Sequence, residues 1–193
     1  MTLASSFNGQ SLCVFCGSSS GNHARYMQLA TETGQQIAQH GYRLVYGGGL
    51  LGLMGAVATA AHDSGGEVLG IIPKFLEDGA GDYAHIPHRS AADMHTRKTQ
   101  MYEEADAFIV LPGGIGTLEE AVEVISWMRL ELHNKPIIFL DSDDYWAPML
   151  ALIDHIIAAD FSPAWINQHI FKANTPTDAI DLIKSSLGPP SQD

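Results

Sequence analysis

The chain has 193 residues, 46% of them hydrophobic and 17% charged, and its 22 acidic against 10 basic side chains leave a formal net charge of −12. That balance excludes DNA or RNA as a partner, because tight binding of a long polyanion needs a cationic stripe. It also excludes a fibrous or disordered chain, and the length suits one domain over residues 1–193, with disorder expected only at the ends.

No run reaches the roughly 20 apolar residues that cross a bilayer. The opening Met1-Thr2-Leu3-Ala4-Ser5-Ser6 lacks the charged and apolar regions of a signal peptide, so a cytoplasmic protein away from membranes is the expectation.

The first apolar run, Leu12-Cys13-Val14-Phe15-Cys16, reads as a buried strand. Cys13 and Cys16 form a C-x-x-C pair, but residues three apart on a strand point to opposite faces, and zinc wants a second ligand pair. Two small buried hydrophobes are therefore expected, and no metal. The loop Gly17-Ser18-Ser19-Ser20-Gly21 follows, then a helix from Ala24 to His40 and a second strand from Arg43 to Tyr46.

After that strand, Gly47-Gly48-Gly49-Leu50-Leu51-Gly52 matches the dinucleotide pattern G-x-G-x-x-G and opens a helix from Leu51 to Ser64. A nicotinamide dinucleotide also needs an acidic residue at the tip of the next strand, Val68 to Ile72. Glu67 precedes that strand and its tip carries Pro73 and Lys74, so the loop reads as tight strand-to-helix packing. No glycine loop ends in Gly-Lys-Ser or Gly-Lys-Thr, which excludes a P-loop.

A long excursion from Glu77 to Arg89, rich in Gly, Pro and His, leads to a helix from Ala92 to Ala105. Its period puts Met94, Arg97 and Met101 on one face, so a guanidinium rides on an apolar stripe. It either snorkels to solvent or is aimed at a phosphate, a ribose or a carboxylate such as Glu120.

The strand Ala107 to Leu111 runs into Pro112-Gly113-Gly114-Ile115-Gly116-Thr117-Leu118-Glu119-Glu120, with a helix expected from Thr117 to Leu132. Glycines let backbone N–H groups approach an anion, and the helix dipole attracts it. The same residues also spell a capping box, with Thr117 as N-cap and Glu120 reaching back to it. On spacing alone both readings are open. Beyond lie strands Ile137 to Leu140 and Ile170 to Ala173 and helices Tyr145 to Ala159 and Thr177 to Leu187. Strands alternating with helices predict an α/β fold, a doubly wound, Rossmann-like parallel sheet whose ligand lies at the carboxyl ends of the strands. Three glycine-rich loops fall on that rim.

Pro112 to Glu120 reads P-G-G-x-G-T-x-x-E and Met94 to Lys98 reads M-H-x-R-K. On these motifs the sequence resembles the LOG-type cytokinin riboside 5′-monophosphate phosphoribohydrolases, whose older members carry a lysine decarboxylase label. The likeness runs from Gly17-Ser18-Ser19 through Tyr46-Gly47-Gly48-Gly49 and Ile71-Ile72-Pro73-Lys74 to about Asp141. It implies hydrolysis of a purine nucleoside 5′-monophosphate, of cytokinin type or AMP, to free base and ribose 5-phosphate. It further implies no cofactor, and a homodimer with active sites near the subunit contact.

Position by position, the resemblance makes Arg97 and Glu120 the catalytic pair. It gives Gly113, Gly114, Gly116 and Thr117 to the phosphate and Met94, Lys98 and Ser126 to the pocket, with Ser18 of the first loop a further candidate to bind substrate or phosphate. Plant members carry a substrate-contacting glutamate after I-I-P-K. Here Glu77-Asp78-Gly79-Ala80-Gly81-Asp82-Tyr83 stands in that loop, with Asp82 the nearest candidate.

A carboxylate at Glu120 would stabilise the oxocarbenium character of a breaking ribosyl bond, and Arg97 would hold it ionised. The helix stretch Ala121 to Met128 is apolar over more than one stripe, which suggests the dimer contact. A non-catalytic carrier of a phosphorylated nucleotide or cofactor is the competing expectation. Decarboxylation would need a Schiff-base lysine, and Lys74 and Lys98, alone near the rim, sit in no pyridoxal-binding pattern.

Overall fold

The computed structural model describes residues 7–78 and 86–188. Its strands are β1 (Ser11–Phe15), β2 (Arg43–Tyr46), β3 (Val68–Pro73), β4 (His88–Ala91), β5 (Ala107–Val110), β6 (Ile137–Leu140) and β7 (Ile170–Ala173). They form one seven-stranded sheet in the order β4-β3-β2-β1-β5-β6-β7. Every neighbouring pair is parallel.

The helices are α1 (Ala24–Gln39), α2 (Gly52–Asp63), α3 (Lys74–Glu77), α4 (Met94–Glu103), α5 (Ile115–Arg129), α6 (Ala147–Ala158) and α7 (Pro176–Leu187). Alternation along the central strands feeds two cores. Leu12, Val14, Leu44, Ile109 and Ile138 pack with α1, α2 and α7, while Cys13, Phe15, Val45, Phe108 and Phe139 pack with α4, α5 and α6. Each such aliphatic or aromatic side chain contributes roughly 1.5 to 3 kcal/mol by leaving water. Cys13 and Cys16 go to opposite cores, as strand geometry requires.

The doubly wound prediction holds, and each predicted strand is present. The strand β4 was not foreseen, because His88-Arg89-Ser90-Ala91 buries only Ala91 and carries no apolar alternation. It survives as an edge strand through its ladder to β3. The short α3 and a 3₁₀ turn at Ala164–Gln168 were likewise not expected.

Of the two readings open at Thr117, the capping box is absent. The helix α5 begins two residues earlier, with Gly114 as N-cap and no side-chain cap bond, because the glycine loop turns directly into the helix. A reciprocal capping box exists instead at α7, between Thr175 and Asp178. Between β1 and β5 the order of connections reverses, which opens a crevice between the loops that follow them. The glycine loops after β1 and β5 flank it.

Candidate functional site

The helix α4 starts where Asp93 accepts a hydrogen bond from the Thr96 amide at 2.7 Å. That cap places Arg97 one turn into the helix, facing back over the ends of β2 and β3. Its Nε donates to the Ile71 carbonyl at 3.1 Å and its Nη1 to Glu120 Oε1 at 2.8 Å. Both side chains of the pair are over 90% buried, with 7% and 8% exposure. The guanidinium therefore does not snorkel. Of the stripe that carries it, Met101 enters the core and Met94 stays at the surface.

Glu120 sits in the second turn of α5. Burial pushes its carboxyl above the usual carboxylate range, and Arg97 pulls it back only in part. The carboxyl is raised, with a fixed cation beside it. Cys16 lies close by, but burial, reinforced by Glu120, pushes its thiol up and keeps it protonated.

The first intrahelical bond of α5 runs from the Leu118 amide to the Gly114 carbonyl at 3.0 Å. The amides of Ile115, Gly116 and Thr117 precede it, and all three lie at the positive end of the dipole. The loop before them is held tightly. Gly17 donates to the Pro112 carbonyl at 3.1 Å, and the Tyr145 hydroxyl donates to the Gly113 carbonyl at 2.6 Å. A side chain at Gly113 would collide with the Thr117 hydroxyl and come within 2.8 Å of the Gly17 nitrogen. Glycine is thus the residue that lets the two loops touch.

A cavity of about 560 Å³ lies between these groups, within the range of small-molecule sites. Ser18, Met94, Arg97, Gly114, Gly116, Thr117 and Glu120 line it, so the structure brings most of the predicted site together. Gly113 lines an adjoining hollow that shares Gly17, Ser18 and Gly114 with the cavity. Lys98 turns away, its Nζ 2.6 Å from Glu119 and 2.9 Å from Glu123. Ser126 is exposed, about 9 Å further along α5 than Glu120 at 1.5 Å per residue. Neither Lys98 nor Ser126 lines the cavity within this chain. Asp82 lies outside the described residues.

Other lining residues were missed. Gly47, Gly49 and Ile72 come from the ends of β2 and β3, and their signal was the position of the second glycine loop on the same rim. Leu51, Phe75 and Ile115 form an apolar mouth, with exposures of 56%, 66% and 81%. Phe75 gave no signal at all, since the turn of helix that presents it follows no periodic pattern.

The family model described as "Possible lysine decarboxylase" matches residues 54–183. Among curated relatives, cytokinin riboside 5′-monophosphate phosphoribohydrolase LOG3 of Arabidopsis thaliana is 43% identical over 90% of this chain and 81% of its own length. A second Arabidopsis thaliana enzyme of the same name, LOG5, is 46% identical over 83% of this chain and 70% of its own. Among solved structures, the Moco carrier protein from Chlamydomonas reinhardtii superposes with a TM-score of 0.68 at 22% identity, covering 92% of this chain and 97% of that one. That last likeness speaks for the fold alone. Sequence identity of this level over most of both chains, together with the matching family model, shows that the chain belongs to the LOG family of cytokinin riboside 5′-monophosphate phosphoribohydrolases.

Proposed function

We propose that this protein hydrolyses the N-glycosidic bond of a purine nucleoside 5′-monophosphate, releasing the free base and ribose 5-phosphate. The observation that carries the reading is the buried Arg97–Glu120 pair facing the amino end of α5 across one cavity. The amides of Ile115, Gly116 and Thr117, with Ser18 and the Gly113-Gly114 turn, suit the 5′-phosphate. Anchoring that remote group fixes the anomeric carbon near Glu120.

As the C–N bond lengthens, positive charge grows on the sugar, and the Glu120 carboxylate stabilises it. The same carboxylate orients a water whose oxygen adds to the anomeric carbon, and the proton that this water gives up balances the one the departing base takes from solvent. Arg97 favours the anionic form of Glu120 against the burial that raises its carboxyl. Met94 lines the cavity, and Lys98 and Ser126 are assigned to the pocket only by family matching.

Exposed Leu51, Phe75 and Ile115 at the mouth and Val122 on α5 support a homodimer that closes over the cavity. Light scattering at the mass of two chains is the expected result. Among the described residues no helix is long and apolar enough to cross a membrane. Nucleoside monophosphates are a cytoplasmic pool, and we place the enzyme there.

The competing carrier reading has a fold shared with a molybdenum cofactor binding protein and a Moco carrier protein, and a phosphate cradle alone would serve it. A carrier has no need of the Arg97–Glu120 pair. Decarboxylation finds no support at the cavity, since none of Lys74, Lys98, Lys135, Lys172 and Lys184 lines it. Incubation with AMP and with a prenylated AMP, followed by chromatography, should show free base. Tight nucleotide binding with no base from either would overturn the enzyme in favour of the carrier.

A further inference from the structure

The pattern Gly47-Gly48-Gly49-Leu50-Leu51-Gly52 has the spacing of a dinucleotide loop, yet the fold uses its first glycine otherwise. A Cβ at Gly47 would collide with Arg97 Nη2 and lie 3.1 Å from Arg97 Cζ. By contrast, Gly48 closes on Ile71 and Ile72, and Gly52 on the Ser18 and Ser19 backbone. Gly47 alone in the motif abuts a charged group of the cavity.

The guanidinium has little room to yield. Its Nε is tied to the Ile71 carbonyl at 3.1 Å and its Nη1 to Glu120 at 2.8 Å, and the plane that carries both is rigid. The third nitrogen, Nη2, occupies the space a side chain at position 47 would take. Two strand ends thus make a slot: the bare α-carbon of Gly47 at the end of β2, and the Ile71 carbonyl in β3.

We propose that Gly47 is a positioning residue for the reaction, forming with the Ile71 carbonyl a slot that holds the Arg97 guanidinium in line with Glu120. The inference rests on reading Arg97 and Glu120 as the reacting pair. Any larger residue at position 47 displaces the guanidinium while leaving the phosphate amides of α5 in place. A misplacement of about 1 Å at such a site costs up to roughly 10²-fold in rate.

The groups facing Glu120 are Arg97 and Lys98 from α4, Glu119 from its own helix, and the thiols of Cys13 and Cys16 from β1 and its end. Only Arg97 is moved by a change at Gly47. Glu120 then loses the cation that opposes its burial, and its carboxyl titrates at higher pH.

The test is Gly47→Ala, alone and combined with Arg97→Ala. In the single variant kcat should fall by roughly 10²-fold, with KM for AMP changed far less, and the acid limb of kcat/KM should move to higher pH. Carbon-13 NMR of labelled glutamate should show the Glu120 carboxyl titrating higher in Gly47→Ala than in the wild type. In the Arg97→Ala background the same substitution should leave that titration and the melting temperature unchanged.

If Gly47→Ala does not fold, restored folding in the double variant supports the slot, because the obstruction is then the guanidinium. Failure of both to fold overturns it, as does an equal change in the two backgrounds or wild-type kcat and titration in Gly47→Ala. The NMR titration needs no turnover. If the wild type releases no base, the functional reading fails, and the Glu120 titration still decides the slot.

Discussion

The two ends of α4 carry two arginine–glutamate arrangements that differ in what they leave open. At the carboxyl edge of the sheet, Arg97 and Glu120 form one buried ion pair, the guanidinium also tied to the Ile71 carbonyl, and both side chains line the cavity. At the amino edge, Glu104 takes Arg43 at 2.6 Å and Arg89 at 2.8 Å, one arginine on each oxygen. Arg43 also donates to the Ser11 hydroxyl at 2.9 Å, so β1, β2, β4 and α4 are tied together there.

The second cluster is saturated, and the first is not. Burial and two arginines compete at Glu104, and the arginines win, lowering its carboxyl. At Glu120 burial wins over one arginine and the carboxyl rises. A saturated pair holds strands in place, whereas a pair with spare capacity can act on a ligand.

Substitutions that separate activity from stability test this contrast. The largest effect is expected from Glu120→Gln, which keeps the shape and the contact to Arg97 but not the charge. Base release should fall by on the order of 10²- to 10³-fold, with the far-ultraviolet circular dichroism unchanged. Since no capping box exists at α5, a loss of activity there cannot be ascribed to a lost helix cap. Normal turnover in this variant would remove Glu120 from the mechanism.

Next comes the pH profile. The acid limb of kcat/KM should lie above the range of an exposed glutamate, because burial raises Glu120 and the ionised form is the active one. Replacing Arg97 with alanine should push the limb higher still. A limb that moves down, or stays, would mean that another group sets it.

Glu104→Gln should do the opposite of Glu120→Gln: leave kcat intact and lower stability by roughly 1 to 2 kcal/mol at neutral pH. The sign with pH follows from its lowered carboxyl. Its contribution is complete above the unfolded value near 4.5 and is lost as pH falls through the lower folded value. Melting curves of the two proteins should therefore converge as the solution is acidified from about pH 4.5 downward. Curves that diverge would show that Glu104 is not held down by its arginines.

The smallest effect is expected from Lys98→Ala. Its ammonium pairs with Glu119 and Glu123 beside the cavity, and a pair of this kind is worth about 0 to 1 kcal/mol. Catalysis should change much less than in Glu120→Gln. A loss as deep as that variant's would show that Lys98 swings to the substrate, as the family matching has it.

Much of this was legible in the sequence, for identifiable reasons. The β1, β5 and β6 runs and the Leu44-Val45-Tyr46 part of β2 are apolar because both faces of a central parallel strand are covered, and each is a short run ended by glycine, proline or a charged residue. The glycine loop before α5 was legible because glycine spacing at a strand-to-helix turn is a local pattern. The edge strand β4 was not, since its ladder to β3 is a pairing between distant residues that His88-Arg89-Ser90 does not advertise. Nor was the mouth of the cavity, because exposed Phe75 and Ile115 obey no burial rule.

What the sequence determined by itself was the order of strands and helices, the rim on which glycine loops gather, and the candidacy of Arg97 and Glu120. Tertiary structure alone decided between the competing readings of those residues. Thr117 is not a cap, because α5 begins at Ile115; Arg97 is not a surface cation, because Ile71 and Glu120 meet it from β3 and α5. Periodicity says which face of an element is apolar, but a buried charge is settled by partners 23 and 26 positions away. Those partners come into reach only when the sheet sets β3, β2, β1 and β5 side by side in that order.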